Sequence, residues 1–391
     1  MVHLTPSHGA SNQPGWEVAL GSIVALLVTI AAIVYAGAVP FDRQARNDVR
    51  WLDPGPGLEF DGRGIAYSEE PLVWEPGAHA GDVSVELWVR PSREPDRRIG
   101  QIFSLFDGDA VEPLLVAQWK SGLVIRNRVR DRDAGRLYRE LGSLGLLFRD
   151  QTRMIALASG QAGTVLYLDG RETEHRSNIP IIGVGEPFGG RLVLGNSASG
   201  TAPWYGELLG VAVYRRALSA EEVAAHHAIA NARGIGSLVG GAGLVALYPF
   251  DERSGESAES SGAAGPPLRV PVEFRRLRMP VLQLPDLRER SVDSFGRDTL
   301  VNFFGFAPLG FFTVAVMRRR GRRVGRSAVF GIVAFGFALS LAIELLQVQL
   351  PGRVSSLTDV LWNTLGTALG VWLALQGPLA VRDPREPARP R

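Results

Sequence analysis

Near the C-terminus, polar side chains recur at helical spacing inside sequence that is otherwise apolar. Ser340, Glu344 and Gln347 stand at i, i+4 and i+7, so they share one helix face. Asp359, Asn363, Gly366 and Gly370 follow at i, i+4, i+7 and i+11, again one face. Polar groups in a membrane-spanning helix are expensive, so their placement is informative. Two chemistries fit. In the first, the groups form a hydrogen-bonded lock between helices, with Arg353 of the turn Pro351-Gly352-Arg353 neutralising a carboxylate. In the second, Glu344, Asp359 and Arg353 line a pocket for a lipid headgroup or substrate. Asn302 lies near the start of another apolar stretch, and Pro308-x-Gly310 in its middle would free backbone groups at a kink. Gly366-x-x-x-Gly370 permits close helix contact.

Other chemistries find less support. The chain has no cysteine, which excludes disulfides, thiolate metal sites and a cysteine nucleophile. A net charge of +2 leaves no footprint for nucleic acid. Asp107-Gly108-Asp109 could offer carboxylate oxygens to calcium, although an acidic turn is the commoner role of such a triplet. No other cofactor is expected. His226 and His227 are adjacent on a helix and diverge, so they do not form a shared metal site. Gly183-x-Gly185 lies between Pro180 and Pro187 and reads as a loop. Trp74, Trp88, Trp119, Trp204 and Tyr205 could stack on sugar rings or fill a core. The pattern does not fix the face of Trp88, close to charged Glu86. Trp204-Tyr205, after the Gly/Pro/Ser-rich run 195–203, is the best candidate for an exposed ligand-binding pair.

The elements that must position these groups follow from where the apolar residues lie. The mean hydropathy of +0.06 describes neither half of the chain, because the apolar residues are segregated. Val18–Val39 carries no charge and is long enough to cross a bilayer. Residues 299–317, 328–350 and 357–380 are further stretches of that length, giving about four transmembrane helices. Ala36-Gly37-Ala38 resembles a signal-peptidase site. The first apolar run is nevertheless longer than a signal sequence's, and nothing basic precedes it, so an uncleaved helix is expected. Arg318–Arg323 with Arg326, and the tail with Arg382, Arg385, Arg389 and Arg391, belong in the cytoplasm by the positive-inside rule. That places both termini inside, with tails 1–17 and 381–391, and residues 41–297 outside. Arg43, Arg46 and Arg50 argue locally for the reverse, but flanks of long translocated domains are weaker determinants. Counting along these helices puts Asn302, Glu344, Gln347, Arg353, Asp359 and Asn363 together near the outer leaflet.

Residues 54–275 read as an all-β sandwich. Val83–Val89 alternates with period two, and Thr164–Leu168 runs into Asp169-Gly170, a hairpin signal. Ser219 and Glu222 form a capping box opening a helix over 219–232. Leu58-Glu59-Phe60-Asp61-Gly62, Val83–Val89, Val165–Gly170, Tyr205–Leu208, Val213–Glu222 and Leu247–Glu252 together resemble, in order, laminin-G-like or concanavalin-A-like jelly rolls. That resemblance implies binding of glycans, proteins or calcium more often than catalysis. The carboxylate strand E-x-D-x-E of glycosidases on this scaffold is not found. Residues 276–298 form a linker back to the membrane.

The membrane segment carries a second resemblance. Asn302–Phe311, with its Asn302, Phe306, Pro308 and Gly310, is followed by Ser340-x-x-x-Glu344-x-x-Gln347, Pro351-Gly352-Arg353 and Asp359-x-x-x-Asn363-x-x-Gly366-x-x-x-Gly370. Together these resemble VanZ-like integral membrane proteins. One helix normally precedes these three, a role open to Val18–Val39, and the jelly roll is then an insertion. The family name derives from a member linked to glycopeptide-antibiotic resistance, and no biochemical activity follows from it. The expectation is a multi-pass protein of the bacterial cytoplasmic membrane, in contact with lipid. Its extracytoplasmic jelly roll would recognise an envelope glycan or protein near the polar cluster, with binding favoured over catalysis. The alternatives are an enzyme or lipid-handling protein acting on a lipid-linked envelope precursor, and an adaptor of a polysaccharide export complex.

Overall fold

The computed structural model describes residues 15–39, 46–73, 81–95, 99–109, 111–128, 138–177, 180–181, 189–279, 281–283, 292–350, 353 and 355–376. Trp74, Arg43, Gly183, Gly185, the Pro351-Gly352 pair, residues 280 and 284–291 of the expected linker and both outermost tails lie outside them. The chain divides into two units, Gln44–Met279 and a second made of Met1–Arg43 with Pro280–Arg391.

The first unit is a sandwich of two antiparallel sheets. In one, the strand order is Val49–Trp51, Leu58–Asp61, Tyr205–Tyr214, Val83–Pro91, Arg153–Gly160, Gly163–Leu168 and Arg171–Arg176. Leu244–Tyr248 pairs with the end of Tyr205–Tyr214, where Leu58–Asp61 leaves off. The facing sheet runs Ser257–Ala258, Leu268–Arg269, Ala66–Ser68, Gly189–Leu194, Gly100–Phe106, Leu114–Trp119, Gly122–Arg128 and Tyr138–Ser143. The expected hairpin turn forms, with Asp169 and Gly170 both at positive φ (51° and 79°), the geometry that matches strand twist. Phe60, Leu87, Phe103, Leu105, Trp204 and Tyr248 fill the space between the sheets.

The strand Val83–Pro91 is buried on both faces. Val83, Val85, Leu87 and Val89 enter the sandwich core. Its other face, with Ser84, Glu86 and Trp88, is also buried, and Trp88 packs in the cluster that includes Tyr214, Leu218 and Val223. That face is covered by a helix, so the period-two pattern alone could not place Trp88. The helix is Ala220–Arg233, with Ser219 at its N-cap and both capping-box hydrogen bonds to Glu222 present. Such a cap stabilises a helix by about 1 kcal/mol.

The ends of this domain are tied together. Asn47 N–H donates to the Val272 carbonyl at 2.9 Å, its side chain donates to Pro271 O at 2.7 Å, and Arg46 bridges Glu273.

The second unit contains helix Gly15–Ala38, here α1, and the helix Ala220–Arg233 of the first unit is α2. Val292–Arg319 (α3), Arg326–Gln347 (α4) and Leu357–Gln376 (α5) complete the bundle. Among the described residues, Leu20–Ala38, Thr299–Arg319 and Arg326–Gln347 are long and apolar enough to cross a membrane. α5 is described over Leu357–Gln376, the rest of the expected span 357–380 lies outside the described residues, and the described part is not among these candidates, because Thr358, Asp359, Asn363, Thr364 and Thr367 lower its hydropathy. It compensates by packing closely against α3. Pro308 sits inside α3, which continues through it.

Candidate functional site

The bundle's polar residues gather where α4 ends and α5 begins. Glu344 is 2% exposed. Its Oε2 accepts the backbone N–H of Ser356 at 2.7 Å. That N–H belongs to the residue just before α5, where helix geometry leaves donors without internal partners. A carboxylate there also meets the positive end of the helix dipole.

Gln347 and Arg353 turn instead to α1. Gln347 Nε2 donates to Gly37 O at 3.0 Å, and Arg353 Nη2 donates to Ala36 O at 3.1 Å and to Val39 O. These carbonyls close α1, where unpaired acceptors and a negative dipole end favour a guanidinium. Arg353 is expected to neutralise a carboxylate; the side-chain hydrogen bonds described for it go to the end of α1.

One turn deeper, Asn363 Nδ2 donates to Ser340 Oγ at 2.9 Å, and Thr367 Oγ1 donates to Asn363 O at 3.0 Å. Asn363 Oδ1 is buried with no hydrogen-bond partner. Asn302 is half-buried on α3, next to Phe303. The carbonyl of Phe303 faces Gly366 so closely that a Cβ there would strike it. Gly370 meets Ala307 O, and Gly310 meets the Thr367 backbone, in the same way. These glycines let α3 and α5 touch backbone to backbone.

The site thus brings together Ser340, Glu344, Gln347, Arg353, Asp359 and Asn363, with Pro308, Gly310, Gly366 and Gly370 shaping the α3–α5 contact. Ser355, Ser356 and Thr367 are buried members that the sequence reading missed. Ser356-x-x-Asp359 has capping-box spacing and would have pointed to Ser356. Ser355 also accepts Gln283 N–H and Leu282 N–H, which ties the chain before α3 to this end.

In the β-domain, the expected exposed aromatic pair is corrected. Trp204 is fully buried, and its Nε1 donates to Gln118 Oε1 at 2.8 Å between the sheets. Its own N–H bonds Gly195 O, which folds the polar loop back over the core. Tyr205 is half-buried under the guanidinium of Arg93. Asp107 and Asp109 are both bonded by Arg128, at 3.1 Å and 2.8 Å from Nη1, so a guanidinium supplies the charge between them. Among the described residues no cluster of three or more His, Asp or Glu could hold a metal.

Glu86 is fully buried in the sheet beneath α2. It accepts from the Tyr214 hydroxyl at 3.1 Å and lies 2.9 Å from His226 Nδ1. Burial, then the Glu86 charge, holds the Tyr214 phenol well above the usual range. His226 therefore anchors α2 to the sheet while His227 bonds Asn231, and the two imidazoles do separate work.

Two family models match the chain. The VanZ/LLP1 family matches residues 238–380, and the Concanavalin A-like lectin/glucanases superfamily matches residues 73–224. No curated protein matches the sequence. Among solved structures, a Bacteroides ovatus protein described as carbohydrate binding is 15% identical, covering 57% of this chain and 61% of its own, with a TM-score of 0.38. The SAP-like pentraxin of Limulus polyphemus is 15% identical, over 58% of this chain and 95% of its own (TM-score 0.36). The sialidase carbohydrate-binding module CBM40 of Ruminococcus gnavus is 16% identical, over 45% and 95% (TM-score 0.32). The chain spans 61% and 45% of the lengths of the first two structures it matches, the second being a botulinum neurotoxin receptor-binding domain.

Proposed function

We propose that this chain, a membrane protein joining a VanZ-like region to a concanavalin-A-like domain, is a glycan-recognising protein of the bacterial cell envelope. The observation that carries the reading is the whole sandwich lying in the chain between α1 and the helices α3–α5. A complete lectin-type sandwich with its own core and tied ends is suited to binding, and fold alone does not name the ligand.

Orientation is part of the proposal. Arg318 bonds Ala374 O, so α3 and α5 end on the same side, while Gln347 brings the ends of α4 and α1 together at the other. That alternation supports multiple crossings. With Arg318–Arg323 cytoplasmic, the β-domain faces outward and lies on the outer side of a cytoplasmic membrane.

A second reading treats the Glu344 cluster as a site acting on a lipid-linked precursor. It is favoured by the buried, unpartnered Asn363 Oδ1 beside Ser340, an acceptor awaiting a donor. The full chain in detergent, applied to an array of envelope glycans, tests the first reading: binding is expected, and silence on every glycan rejects it. Loss of a cellular phenotype in folded Glu344→Gln or Asp359→Asn protein would shift the assignment to the second.

A further inference from the structure

A groove of about 600 Å³ crosses the outer face of the second sheet, between Leu72-Val73 and the chain at 277–278. A smaller pocket of about 280 Å³ also counts Arg191 in its wall. The strap at 271–279 builds this wall. Phe274 packs under it with Ile65, Tyr67 and Val193, and the N–H groups of Leu277 and Arg278 both bond Ala198 O, at 2.8 Å and 3.0 Å. Held in this way, the strap brings Arg275 and Arg276 to the small pocket and Arg278 to the groove. Gly190 keeps the floor open. It has positive φ, and a Cβ there would meet the Phe106 backbone at 2.8 Å.

The charge is one-sided. Among the described residues that line the two pockets, four arginines face two carboxylates, and each carboxylate has an arginine partner of its own elsewhere: Glu69 pairs Arg269 at 3.4 Å and Asp107 pairs Arg128. Burial pushes the Arg276 guanidinium below its ordinary value, the mark of a cation held partly out of water. Exposed Val73 and half-buried Leu277 supply apolar surface beside these cations. Guanidinium forks next to small apolar walls suit a ring that carries an anion.

We propose that this groove binds an anionic saccharide, a sugar ring carrying a carboxylate or phosphate, with the anion on Arg191 and Arg278 and the ring against Val73 and Leu277. This rests on the glycan reading above and sharpens it to a charge class.

The test uses the full chain in detergent on an array holding uronate-, sialate- and phosphate-bearing glycans beside neutral ones, with inorganic phosphate as competitor. Binding to charged glycans is expected. Arg191→Gln, and separately Arg278→Gln, should weaken it about tenfold, the loss of one charge-assisted contact. Arg171→Gln, exposed on the other sheet, should leave it unchanged. Rising salt should weaken it as well. Unaltered thermal unfolding of the variants certifies their fold. Binding confined to neutral glycans, or charged-glycan binding indifferent to both groove variants, overturns this proposal and leaves the glycan reading standing. Silence on every glycan overturns both. Displacement by equimolar inorganic phosphate shows an anion site indifferent to sugar and also overturns it.

Discussion

The carboxylate of Glu344, at the end of α4, receives the backbone N–H of Ser356, the residue that opens α5. One buried side chain therefore terminates one helix face and starts another. Glu344→Gln keeps an acceptor oxygen, whereas Glu344→Leu leaves the Ser356 donor buried and unpartnered. The leucine variant should lose about 2 kcal/mol and the glutamine variant much less. Thermal unfolding in detergent checks this, and equal losses would count against the hydrogen bond.

At Gly366 and Gly370 the backbone of α3 occupies the space a side chain would need. Gly366→Leu should force α3 and α5 apart and cost about 1–3 kcal/mol. Gly331→Ala on α4, with open space around it, should be nearly neutral. Crosslinking between cysteines introduced on α3 and α5 would report the separation.

Trp204→Ala should cost about 3–5 kcal/mol, the range for truncating a buried aromatic. It also leaves Gln118 Oε1 without the Trp204 donor. Tyr205→Ala should cost far less. Chemical denaturation followed by the remaining tryptophans separates the two, and a mild Trp204 variant would return that residue to the ligand-facing side.

The Arg216 hydrogen bond, seconded by the Ser219 backbone, lowers the Glu222 carboxyl from its ordinary value to about 2. The folded value lies below the unfolded one, so the stabilisation is complete above about pH 4.5 and fades as pH falls toward 2. The side chain is 39% exposed, so screening limits the effect to about 1 kcal/mol. Melting curves of wild type and Glu222→Gln between those limits should converge as pH falls. A constant gap would reject the linkage.

Periodicity made the strands and the apolar helices legible, because each depends on local repeats. Ser340, Glu344, Asp359 and Asn363 were legible for the same reason. Partners supplied from far along the chain were not. Nothing near Trp204 announces Gln118, and nothing near Glu86 announces His226, yet those contacts decide which side chains are buried. α5 reads as one more span by length, but its polar face is visible as packing only once α3 lies against it.

The Asn47–Val272 tie has a topological consequence. Chain entry and the strand of chain near the exit of the β-domain are stapled at one spot, so the domain closes its own loop, whatever its size. A module inserted this way adds almost no loop-closure penalty to assembly of the helices. It can be exchanged for another domain with adjacent ends, or excised and replaced by a short linker, without asking the bundle to refold around a new constraint.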